Sequence, residues 1–237
     1  MWLPVVNATV YAIAMAYLEA TLVVYLRRLY YPPQGFAFPL VLIDLPTLLL
    51  EVGREAATLV MLATFGLAAG RTRVGKLASF LLLFGIWDIM YYVWLKVFLN
   101  WPDSLLTWDV LFLIPVPWVG PVLAPVTVAA TMIGMALAML YLEQRGPVLA
   151  AGRLCWTAQL VACVMIIWSF TMDVVPRLPD NGALLARWIP TTYRWWMLHL
   201  GEALALGTFL PWAYRAYQAT RPPRLDDVAA WPSINPL

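Results

Sequence analysis

The sequence predicts an all-α fold: a polytopic transmembrane helix bundle of about six spans, with a short proline-broken apolar segment between the third and fourth helices. Three observations carry this. Hydrophobic residues make up 63% of the 237 positions, against roughly 45–50% in an ordinary soluble chain. Charged residues make up only 12%, about half the usual share. Six stretches are mostly apolar over about 20 residues, the length a bilayer core of about 30 Å requires. The composition also excludes other classes. With 13 Trp, 11 Tyr and 9 Phe the chain is far too aromatic to be disordered. A net charge of +2 without a basic stripe leaves nothing to oppose a phosphate backbone, so no nucleic-acid partner is expected.

The first span is Pro4–Leu26. No basic run precedes it, so no cleavable signal peptide is expected. Asn7-Ala8-Thr9 matches a glycosylation sequon, but it falls inside the apolar stretch. Phe36–Ile43 is a short apolar piece. The second span is Leu45–Ala69, and Gly66-x3-Gly70 at its end has the spacing of a close helix contact. Gly70 to Lys76 imitates a phosphate loop. However, Leu77 stands where a Ser or Thr would hold magnesium, and a membrane span rather than a strand precedes it, so it is read as a basic loop that fixes topology. The third span is Leu77–Leu99. The following loop, Asn100–Asp109, holds Trp101 and Trp108, which suit an aromatic interface belt or a cap over a cavity mouth.

Val110–Pro121 is apolar but interrupted by Pro115, Pro117 and Pro121. It is read as an interfacial or re-entrant piece, because proline cannot continue a helix ladder. The fourth span is Trp118–Leu142. The fifth, Leu154–Val175, contains Cys155 and Cys163, about 12 Å apart along a helix. That is too far for a disulfide, and both are read as buried small hydrophobes. The sixth span, Trp195–Tyr217, begins with an aromatic pair and contains Pro211. The chain thus divides into a membrane domain, 1–217, and a polar proline-rich tail, 218–237.

Loop charges set the orientation. Eight Lys and Arg fall on the side of the termini and five on the other. The expectation is an integral protein of a bacterial-type inner membrane with both termini cytoplasmic.

Ionisable groups within spans are expensive and are functional candidates. They are Glu19 in the first span, Glu51, Arg54 and Glu55 in the second, Asp88 and Lys96 in the third, and His199 and Glu202 in the sixth. Alternating helix direction places all but the central Asp88 in the outer halves, with Asp44, Asp109 and Asp173 at the same boundary. At about 100° per residue, Glu51, Arg54 and Glu55 share one arc. Asp88, Tyr91 and Tyr92 share another, with Lys96 at its edge. His199 and Glu202 are i, i+3 neighbours. Convergence of these faces would make an acidic cavity open to one side.

Such a cavity suits a membrane-embedded enzyme on a lipid-like or isoprenoid-like substrate. Asp88, Glu51, Glu55, Glu19, His199 and Glu202 are the candidate acid/base residues. Arg54, Tyr91, Tyr92, Lys96 and Asp109 are the candidate substrate-binding residues, Arg54 for an anionic headgroup. A divalent cation at Glu51, Glu55 and Asp88 is the candidate cofactor. One histidine and the lack of a phosphate loop argue against haem or nucleotide. Two other classes share these features. One is a helical subunit of a larger membrane complex, whose partners would be other membrane subunits or copies of itself besides the membrane lipids. The other is a proton- or cation-coupled transporter, opposed by the lack of a polar path through the inner halves and of a repeat.

Overall fold

Where no water reaches the backbone, a chain must satisfy its own hydrogen bonds, and long apolar runs do so as helices. The computed structural model describes residues 2–30, 38, 41, 43–146, 150–179 and 183–220. Its long helices are α1 (Trp2–Tyr30), α2 (Leu45–Ala69), α3 (Arg73–Leu99), α4 (Leu123–Arg145), α5 (Arg153–Thr171) and α7 (Trp195–Ala219), with a four-residue α6 (Ala183–Ala186) before the last. Most of Phe36–Ile43 and all of the tail beyond Thr220 lie outside the described residues.

Local chemistry sets the helix starts. The Asp44 carboxylate accepts from the Thr47 N–H (3.2 Å) and hydroxyl (2.8 Å) at the head of α2, relieving one of the orphan donors of a first turn. These bonds hold its pKa below the usual carboxylate value. The Thr72 hydroxyl accepts from Gly75 N–H at 3.0 Å, so α3 begins at Arg73, four residues before the expected start. At the other end Asn100 adopts a left-handed backbone (φ 53°), which Asn tolerates, and stops the helix.

α3 is the central element and packs on α1, α2 and α4, while α7 packs on α4 and α5. Glycines allow the close crossings. A Cβ on Gly66 would sit 2.9 Å from the backbone of Phe80, one on Gly85 2.7 Å from the Ala129 carbonyl, and one on Gly201 2.8 Å from Ile166. Of the expected pair Gly66-x3-Gly70, Gly66 makes a close crossing between α2 and α3, while Gly70 meets the backbone of Gly75 and Lys76 around the turn that follows.

Two expectations are corrected, and one, the number of spans, is met in part. First, the fold is mostly helical but not all-α. Trp108–Phe112 (β1) and Trp118–Pro121 (β2) form an antiparallel hairpin. Asp109 faces Gly120, Val110 faces Val119, and the register slips between Val110 and Phe112. Pro115 and Pro117 fall in the turn, and Pro121, which has no N–H to offer, closes the ladder. Aromatic and β-branched residues on either side favour strands. The fourth helix consequently starts at Leu123, not Trp118. Second, four described helices are long and apolar enough to cross a membrane by length and composition: Val5–Tyr30, Arg73–Leu99, Leu123–Arg145 and the stretch Arg153–Arg177. α2, which carries Glu51, Arg54 and Glu55, and α7, which carries His199, Glu202 and Arg215, are of similar length but are not among these four. Third, the cysteines are not buried: Cys155 is half-buried and Cys163 exposed, because α5 turns much of its surface outward.

Candidate functional site

The cavity is built from three helix halves and the hairpin. The last part of α1 presents Glu19, Val23, Arg27 and Tyr30, spaced by four, four and three residues and so on one helical stripe. The first part of α2 presents Glu51, Arg54 and Glu55. The last part of α3 presents Trp87, Asp88, Tyr91 and Tyr92, and the hairpin adds Asp109 to Leu113 and Pro115 to Pro117. Leu178 and Leu185, from the connection before α7, complete the wall. The enclosed volume is about 630 Å³, within the range of small-molecule sites.

Arg54 is the hub of the α1–α2 side. Its guanidinium contacts Glu19 from α1, Glu51 through Nε at 2.8 Å and Glu55 at 3.9 Å. Glu19 also accepts from the Thr58 hydroxyl at 3.1 Å. The second oxygen of Glu55 accepts from the Leu113 N–H at 2.8 Å, which ties the hairpin to α2. Arg27 does the same work for α1. It pairs with Asp109 at 3.1 Å and lies 3.7 Å over the Trp101 ring. The Tyr92 hydroxyl reaches Asp109 at a long 3.5 Å. Burial pushes the Asp109 pKa up to about 6, against the opposing pull of Arg27.

Asp88 differs from the other four carboxylates. They all have a guanidinium partner, whereas Asp88 has no hydrogen-bond or ion-pair partner among the described residues. Asp109 is near enough for their charges to interact. Next to it, Trp87 is 6% exposed and its Nε1–H has no acceptor among the described residues. Of the two, Asp88 is the unpartnered group that lines the cavity with its charge-bearing end free. A carboxyl so placed can give or take a proton from an occupant.

The structure brings together Glu19, Glu51, Arg54, Glu55, Asp88, Tyr91, Tyr92 and Asp109 of the predicted residues. Three others stand elsewhere. His199 and Glu202 are paired at 3.2 Å on α7, with the imidazole stacked on Trp195, and they do not line the cavity. The Lys96 ammonium donates to the carbonyls of Asn100 (3.2 Å) and Pro102 (2.9 Å), closing the end of α3. Among the described residues no three His, Cys, Asp or Glu side chains gather to hold a metal ion, and Arg54 sits among Glu19, Glu51 and Glu55.

Sequence reasoning missed Arg27, Tyr30, Trp87 and the hairpin wall. The α1 stripe was the available signal, since Arg27 and Tyr30 continue it two and three turns beyond Glu19. No protein-family model, curated protein or solved structure matches this chain.

Proposed function

We propose that the chain is a six-span integral membrane protein in which α2 and α7 cross beside the four apolar helices. The excess of basic residues in the loops on the side of the termini supports cytoplasmic termini in a bacterial-type inner membrane. The cavity is the active site of a membrane-embedded enzyme acting on a lipid-like or isoprenoid-like amphiphile. The observation that carries this reading is Asp88, a carboxyl without a partner in the cavity, where every other acid is tied to an arginine.

In this reading Asp88 is the general acid or base. The Tyr91 and Tyr92 hydroxyls stand beside it to orient the substrate. Arg54 holds α1 and α2 together through Glu19 and Glu51, and Glu55 and Asp109 hold the hairpin over the site. Fixing these side chains on helices and a pinned hairpin gives the preorganisation that proton transfer needs.

Native mass spectrometry of the protein, gently extracted from its own membrane, tests the proposal. The expected result is a monomer or small homo-oligomer carrying a discrete amphiphile. The Asp88→Asn variant, shown to be folded by its melting midpoint, should not carry that adduct. The same adduct on both proteins, or recovery only with other polypeptides, would overturn the enzyme reading in favour of a binding protein or a complex subunit.

A further inference from the structure

The charges around the cavity specify the headgroup it takes. This step rests on the reading of the cavity as an amphiphile site and deepens it. Five carboxylates and two guanidinium groups line the cavity, a formal excess of three negative charges. Both guanidinium groups are already engaged. Arg54 touches three carboxylates, and Arg27 is held between Asp109 and the Trp101 ring. An anionic headgroup would enter against that excess and find no cation free to receive it. A cation meets the opposite situation. Asp88 has no partner, Asp109 adds to the negative field beside it, and the Tyr91 and Tyr92 rings, edge to face at 5.0 Å, stand next to it. A carboxylate with aromatic rings alongside is the ordinary receptor for an ammonium group, through a charge-assisted hydrogen bond and cation–π attraction.

Apolar side chains from α1, α2 and the hairpin, Val23, Val52 and Leu111 among them, line the remaining space and suit a hydrocarbon chain. We propose that the cavity binds a long-chain amine, with the ammonium at Asp88 and the chain along this apolar wall.

The test is a melting series on the full chain in neutral detergent. It uses three probes of one chain length: an n-alkylamine, an n-alkanol and a fatty acid. The amine should raise the midpoint, with the alkanol and the fatty acid leaving it unchanged. Asp88→Asn should weaken amine binding about tenfold or more.

Stabilisation by the fatty acid or the alkanol equal to that by the amine would overturn the cationic headgroup and leave the amphiphile site standing. A flat response to all three would overturn both. Unchanged amine binding in a folded Asp88→Asn would also overturn the proposal. If that variant does not fold, the three-probe comparison on the native protein decides alone.

Discussion

Glu51, Arg54 and Glu55 were legible as one arc from spacing alone, yet what each does depends on a neighbour that spacing does not show. Arg54 is shared between Glu51 on its own helix and Glu19 across the helix boundary. Removing it would leave three carboxylates without their shared cation. Arg54→Ala should therefore destabilise by about 3 kcal/mol or more, read as a lowered melting midpoint. Arg54→Lys should recover little, because one ammonium cannot serve three carboxylates from the positions of a planar fork. Arg27 was hidden differently: beside Arg28 at a helix end it reads as a loop charge, and only the folded hairpin reveals Asp109 as its partner. Asp109 also makes a pH prediction. Its folded pKa, about 6, lies above the unfolded value near 3.8, so between those values the folded state binds the extra proton. Stability from this group is present at low pH and falls as pH rises from about 4 to about 6. The melting midpoint of the native chain relative to Asp109→Asn should drop across that window and level off above it. A rise instead would show that Arg27 outweighs burial.

At the scale of elements, the helices followed from apolar length, and their boundaries shifted only where a cap intervened. The hairpin did not follow, because a short apolar run with prolines fits a strand pair or a re-entrant piece equally well, and periodicity cannot separate them. The pairing that decides it, Trp108 opposite Pro121, spans a turn whose geometry is set by packing on α4 and α5. Glycine substitutions report on the same level. Gly85→Val would force α3 away from the Ala129 carbonyl and should cost on the order of 1–3 kcal/mol. Gly134 in α4 faces open space, and Gly134→Ala should gain about 0.5–1 kcal/mol from helix propensity. Thermal melting of the two variants should move in opposite directions. A loss at both positions would mean that the α4 surface at Gly134 is covered by a partner.

For the molecule as a whole, membrane residence was legible from composition. The location of the polar residues on one end was legible from alternating helix direction. The membership of the site was not, because His199 and Glu202 satisfy the same depth argument as Glu19 yet sit on α7, which contacts α4 and α5 rather than α1 and α2. Six spans require the loop at Arg71 and the loop at Asp103 to lie on opposite faces of the membrane. In a background with Cys155→Ser and Cys163→Ala, Arg71→Cys and Asp103→Cys should be labelled by an impermeant maleimide from opposite sides. Labelling of both from one side would remove α3 from the set of spans.

The Glu19–Arg54 pair has a consequence for biogenesis. α2 presents three ionisable groups and by itself is a poor candidate for partition from the translocon into lipid, where each central charge costs about 2.5–3.5 kcal/mol. Its arginine is met by Glu51 of α2 itself and by Glu19 of the helix synthesised just before it. If α2 is a span, α1 standing beside it as it emerges lowers the cost of its entry, and the contact that shapes the finished cavity would also help admit its second wall to the bilayer.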